Sequence, residues 1–274
     1  ITVPVNFARD LVRGESPQLL IQADASDPAG SSIALATIGE LAVSALKDDL
    51  AGPPASRANT PPFTAVIHRR YNPEGITQYN IVPGLIAVIL TMTMVMVTAM
   101  AMTREREKGT FENLLAMPAS PFEVMIGKIT PYVVVGYIQA GLILIGAYYV
   151  FNVPMIGSLT LLAGTAGLFI AANLALGFTF STIAKNQLQA MQMTVFFLLP
   201  SILLSGFMFP FRGMPNWAQW AGEALPNTHF LRIVRGILLK GNGPAEIWPS
   251  VWPLLLFLFV VGTVALVRYR RTLD

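Results

Sequence analysis

From residue 81 onward the chain is divided by long uncharged runs, whereas its opening segment is patterned in short pieces. Five apolar runs approach or exceed the roughly 20 residues a helix needs to cross hydrocarbon: Ile81–Thr103, Ile129–Phe151, Leu159–Ala184, Leu188–Phe209 and Pro249–Val267. Residues 1–80 read differently. "NFARDLVRG" (6–14) and "SSIALATIGELAVSALKDDL" (31–50) have helical spacing, "PQLLIQADAS" (17–26) and "FTAVIHRRY" (63–71) have strand composition, and the proline-rich "AGPPASRANTPP" (51–62) is a loop. The pattern predicts a polytopic all-α membrane bundle of five spans with a small βαβ-like α/β domain, residues 1–80, in front of it.

Composition supports the membrane reading. Hydrophobic residues make up 54% of the 274 and charged residues 12%, about half the charged share of a soluble domain. The net charge of +3 comes without a basic stripe interleaved with aromatics, so it does not point to nucleic acid. The absence of cysteine removes disulfides, thiolate metal sites and thiol nucleophiles. Trp248 and Trp252 suit a headgroup-level anchor for the last span.

Charge also suggests an orientation. Arg104, Arg106, Lys108 and Lys128, then Lys185, then Arg268, Arg270 and Arg271 mark the 103–128 segment, the 184–187 turn and the tail as cytoplasmic, while the short 151–157 loop carries no lysine or arginine. The raw count runs the other way. Ten of the 18 Lys and Arg residues fall outside, because residues 1–80 and the 210–248 loop are basic too. This orientation leaves residues 1–80 across the membrane, so a further span before residue 1, six in the intact protein, is expected.

Several functions are disfavoured by what the spans lack. No ionisable residue lies inside them away from their ends; Asn173, Gln139 and a few threonines are the most polar. A proton- or sodium-coupled carrier would place a carboxylate there. No G-x-x-x-x-G-K-[ST] loop occurs, and "LLKGNGP" (238–244) has the wrong spacing, so ATP, if used, is hydrolysed on another chain. His68 and His229 stand far apart, outside any H-E-x-x-H or G-x-S-x-G context. No catalytic, cofactor-binding or metal site is predicted. Met92, Met94, Met96, Met100 and Met102 would make a pliable wall for hydrophobic cargo, or simply packing.

Two segments carry most of the remaining information. In "TREREKGTFENLLAMPASP" (103–121) the alternating charges place Arg104 near Glu107 and Lys108, and Glu105 near Lys108, extending the first helix into water. Gly109 stops that helix, Thr110 caps a short one with Phe111, Leu114 and Leu115 on one face, and Pro118 ends it. Ser120, Pro121 and Glu123 then form a capping box for the next span. The short amphipathic helix suits either the lipid surface or a groove on a soluble partner, and spacing does not choose. On the other side, residues 210–247 hold two proline-bounded helices too short to span, either interfacial or re-entrant. One has a stripe of Trp217, Trp220, Ala221 and Ala224; the other has Phe230, Ile233, Val234, Ile237 and Leu238, with Arg232 and Arg235 free to pair with Glu223 or meet lipid phosphates.

Four stretches, "YNPEGITQYNIVPGLIAVIL" (71–90), "REREKGTFENLLAMPASPFEVMIGKITPY" (104–132), "LLPSILLSGFMFPFRGMPNWAQW" (198–220) and "LPNTHFLRIVRGILLKG" (225–241), resemble the permease subunits of type-2 ABC exporters, particularly bacterial multidrug-export permeases with a large periplasmic loop. The resemblance implies six spans in a bacterial inner-membrane protein, a homo- or heterodimer of permeases, and cytoplasmic ATPase subunits that carry ATP and Mg. It implies that Glu105, Glu107, Gly109, Thr110, Phe111, Glu112, Leu114 and Leu115 form a coupling elbow docked in the ATPase. It also admits a periplasmic adaptor as a partner. The expected function is efflux of a hydrophobic or amphipathic substrate. The competing expectation is a non-transporting receptor or scaffold with an extracytoplasmic ligand-binding domain.

Overall fold

The computed structural model describes residues 1–13, 15–25, 35–38, 40–41, 63–108 and 121–271. It divides into two compact units, residues 1–77 and 78–274.

In the first unit, helix α1 (Phe7–Val12) precedes strand β1 (Gln18–Asp24), which pairs in parallel with β2 (Thr64–Arg70). The register runs from Gln18 opposite Thr64 to Asp24 opposite Arg70. Parallel neighbours require a crossover between them, as the βαβ-like order anticipates. Residues 35–38 and 40–41, within the expected crossover helix, are helical, and Leu35 is buried. The rest of that helix and the 51–62 loop lie outside the described residues. Thr2 bridges to Leu20 in antiparallel fashion, and Phe7 packs edge-on against Phe63. After β2 the backbone turns on Asn72, whose side chain bonds both the N–H and the C=O of Ile76 at 2.9 Å.

Among the described residues of the second unit, five helices are long and apolar enough to cross a membrane: α2 (Gln78–Glu107), α3 (Pro121–Tyr149), α4 (Leu159–Ile183), α5 (Gln187–Leu204) and α8 (Pro244–Arg271). Two short helices, α6 (Asn216–Glu223) and α7 (Pro226–Lys240), lie between α5 and α8. Three boundaries differ from the apolar runs for identifiable reasons. The charges at 104–107 continue α2 past the apolar run, as their spacing predicts. The expected 188–209 span stops at Leu204, because Ser205 leads into Gly206 at φ 83°, a left-handed turn that glycine adopts without steric cost. α8 begins at Pro244 and carries Pro249 and Pro253 within it, so Pro249 does not open the helix. Pro244 at the first position loses little, since the first N–H groups have no intrahelical acceptor, whereas Pro249 and Pro253 each forgo one intrahelical bond.

The core is built from α2, α4 and α7. Leu90 and Met94 meet Phe169, Ile170 and Leu174 and then Phe230, Ile233, Val234 and Ile237, all nearly or fully buried, and Leu254 of α8 closes the cluster. Lipid offers no hydrophobic drive between helices, so close packing must hold them. Gly177 shows how close: an added Cβ would lie 2.6 Å from the Val95 carbonyl oxygen. The five methionines of α2 do not form one wall; Met94 and Met102 are buried while Met92 is 43% exposed.

Candidate functional site

The resemblance placed the coupling elbow at the C-terminal end of α2 and just beyond it. Gly109, Thr110, Phe111, Glu112, Leu114 and Leu115 lie outside the described residues, as does the capping Ser120. Glu105 and Glu107 are described, and each has a partner on another helix. Glu105 pairs with Lys128 of α3. Arg106 donates through Nη1 to the Ser181 carbonyl, at 3.0 Å, in the last turn of α4. Glu107 accepts from the backbone N–H of Gln187 at 2.8 Å and from its side-chain amide, at the first residue of α5. The intrahelical pair expected between Arg104 and Glu107 gives way to this contact.

Helix geometry explains why three adjacent residues reach three helices. Each residue is turned about 100° from the last, so a run of three covers most of a circle. The charges also match the helix ends they touch. A guanidinium meets the carbonyl end of α4, and a carboxylate meets the N–H end of α5, each the favourable sign for the helix dipole. Asn186 adds a conventional cap by accepting from the Gln189 N–H at 2.8 Å. One turn deeper, Met102 packs with Phe178 and with Ala265 of α8, and Ala99 packs with Ala184 and Ala190. The last turns of α2 therefore bear on every other long helix of the unit.

The opposite side is organised around α7. Pro226 starts this helix and Gly241, at φ 68°, ends it. It runs antiparallel to α2: Arg235 donates to the carbonyls of Asn80 at 3.3 Å and Gly206 at 3.2 Å, whereas Asn227 accepts from the Thr91 hydroxyl at 2.6 Å. Asn80 and Thr91 are roughly 16 Å apart along the α2 axis, so the start of α7 lies deep in the bundle. The Phe230 ring stacks on Phe169 with centroids 4.0 Å apart. The 151–157 loop seats the shallow end, with the Ile156 N–H donating to Leu238 O at 3.1 Å and Gly157 too close to Ile237 to admit a Cβ.

The expected stripe on α6 is turned outward. Trp217 and Trp220 are 70% and 79% exposed, while Ala218 and Gly222 face inward. Small residues let α6 approach the end of α5, where a Cβ on Gly222 would sit 2.5 Å from Leu204 O. Glu223 then receives both arms of Arg232, at 2.6 and 3.0 Å, and Arg232 lies 4.5 Å over the Phe211 ring. His229 bonds the Glu223 carbonyl at 2.8 Å. Sequence reasoning named the Arg232–Glu223 pair but missed Thr91 and Asn227, which nothing in an apolar run distinguishes from packing residues. Among the described residues no group of three or more His, Cys, Asp or Glu side chains is gathered where a metal ion would be held.

The family model for ABC-2 family transporter proteins matches residues 1–267. The chain belongs to this family. It is 30% identical over 271 residues to the probable multidrug ABC transporter permease YbhR of Escherichia coli (strain K12), covering 99% of this chain and 73% of that protein. It is 32% identical over 286 residues to the inner membrane transport permease YhhJ of the same strain, covering 100% of this chain and 73% of that one. A more distant relative, ABC transporter G family member 20 of Dictyostelium discoideum, is 26% identical over 199 residues, which are 71% of this chain and 27% of that protein. As an ABC-2 permease, the chain is a polytopic membrane protein whose transport role implies partnership with ATPase subunits.

Proposed function

We propose that this ABC-2 permease moves a hydrophobic or amphipathic, drug-like or lipid-like substrate out of the cytoplasm, driven by ATP hydrolysis in separate subunits that hold the ATP and Mg. Two permeases form the unit. Residues 1–80, the 151–157 loop and the 210–248 segment lie outside, and the 103–128 segment, the 184–187 turn and the C-terminus lie in the cytoplasm. The relatives named as multidrug permeases support the substrate class.

The observation that carries the coupling role is the set of contacts made by Glu105, Arg106 and Glu107 to α3, α4 and α5. A partner that presses on the segment following Lys108 pushes on a helix end tied to three others. The displacement tilts the spans together and switches the path between inward and outward access.

The test is reconstitution of the intact permease in liposomes with its candidate ATPase subunits, measuring hydrolysis and substrate efflux in the same preparation. Charge reversal at Glu105 and Glu107 combined with Leu115→Asp should abolish efflux and uncouple hydrolysis from substrate. Undiminished efflux in that variant, or failure of any ATPase subunit to bind, would overturn the proposal and favour the receptor or scaffold.

A further inference from the structure

Between α3 and α4, in the half of the bundle nearest the 151–157 loop, lies an apolar cavity of about 350 Å³. This is at the lower end of the roughly 300–1,000 Å³ typical of small-molecule sites. Tyr137 forms its floor: the hydroxyl donates to Ala163 O at 3.2 Å and sits so close to Gly167 that a Cβ there would collide. Below that level the two helices close, since a Cβ on Gly136 would lie 2.9 Å from Ile170. The wall toward the surface is open, with Ile145, Tyr148, Tyr149 and Leu159 all more than half exposed. Tyr148 and Tyr149 stand edge to face at the mouth, with centroids 5.0 Å apart.

The length of the groove identifies its occupant. From Tyr137 to Tyr149 the helix rises roughly 18 Å, close to the ~15 Å of hydrocarbon in one leaflet, half of a ~30 Å core. A transmembrane helix from another copy would need a seat through both leaflets, but in the other half Ile129 and Tyr132 of α3 are already packed against Met102, Phe178 and Ala265. A single chain that enters at headgroup level and stops at the bilayer centre fits this groove. Its lining residues carry no charge, and tyrosines mark the level where such rings sit at a membrane interface.

We propose that this groove holds one acyl chain of a membrane phospholipid from the leaflet on the side of the 151–157 loop, without selecting the headgroup. The inference does not rest on the direction of transport. One glycine allows a clean test. Gly141 lines the groove, and a Cβ there would meet nothing within 4 Å, so Gly141→Leu fills the site without pushing the helices apart. Gly146 has the same open surroundings but does not line the groove, and Gly146→Leu is the matched control.

The intact permease is reconstituted in vesicles containing phosphatidylethanolamine or phosphatidylglycerol with a photoactivatable group at the end of one acyl chain. It is then irradiated, and the adducts are mapped by mass spectrometry. Wild type should be labelled around Tyr137 and Ala163 with either headgroup. Gly141→Leu should lower that labelling about tenfold, and Gly146→Leu should leave it within about twofold. Equal labelling in wild type and Gly141→Leu would overturn the proposal, as would equal loss in both variants. Residues 1–274 contain no cysteine, so Gly141→Cys adds the single thiol of this part of the chain, and a disulfide between two copies there would assign the groove to a subunit interface instead. Loss of the adduct during ATP turnover would assign it to exported cargo.

Discussion

Replacing Thr91 with valine should destabilise the permease through a residue it does not change. Both Thr91 and Asn227 are 1% exposed, and their bond is 2.6 Å long. Asn227 Nδ2 is already buried without a partner, so removal of the threonine hydroxyl strands both polar atoms of the amide. A hydrogen bond between membrane helices contributes about 0.6 kcal/mol on average and up to about 1.7, and stranding a buried polar group costs about 1–3 kcal/mol. We expect a loss of about 1.5 kcal/mol for Thr91→Val, roughly tenfold in the folded-to-unfolded ratio. The partner is not symmetric. Without Asn227, the Thr91 hydroxyl can turn to a carbonyl of its own helix one turn back, as Thr93, Thr103, Thr179 and Thr194 do at 2.7–3.0 Å. In the Asn227→Leu background Thr91→Val should therefore cost less than about 0.5 kcal/mol. Unfolding in mixed micelles titrated with dodecyl sulfate, followed by tryptophan fluorescence, measures all four corners of this cycle. Equal costs of Thr91→Val in the two backgrounds would refute the reasoning.

Two other expectations concern the ends and the middle of α2. Glu105→Lys or Lys128→Glu alone should impair substrate-stimulated ATPase activity in the reconstituted transporter, and the exchanged pair should recover at least half of it, because the contact needs opposite charges rather than a particular order. Gly177→Ala should cost about 1–3 kcal/mol in the same micelle titration, since its Cβ would press on the Val95 backbone, while Gly164→Ala, in open space, should be neutral or slightly stabilising.

The spans were legible because crossing hydrocarbon leaves a one-dimensional signature. Leu159–Ala184 was expected, and α4 runs Leu159–Ile183. The charged end of α2 stayed helical, as its alternating charges predicted, but a left-handed glycine cut α5 short of its expected end. The strand pair and its parallel sense followed from the order of patterned segments. Partners were the illegible part. A run of alternating charges predicts pairing along its own helix, yet Glu105 and Glu107 find Lys128 and Gln187 on other helices. The tryptophan stripe of α6 was read as either interfacial or re-entrant; Trp217 and Trp220 face outward, as an indole anchor would, while Ala218 and Gly222 make the contact with the bundle.

The charged contacts at the C-terminal end of α2 and the buried short helix share one element, and its mechanics differ along its length. From Thr91 to Glu107, α2 carries no proline or glycine, so a force at Glu105–Glu107 is carried to Thr91, and through it to Asn227 of α7, with little bending. Beyond Thr91 toward the start of the helix comes Pro83, which has no N–H to donate to Tyr79 and so weakens the helix between the two anchors of α7. The anchor at Asn80, held by Arg235, lies past that weak point. Displacement of the Glu105–Glu107 end would therefore move the deep start of α7 more than its shallow end, which Ile156 and Gly157 also restrain. The response to such a push is a tilt of α7 about its outer end, with the Phe169–Phe230 stack and the Thr91–Asn227 bond at the moving end.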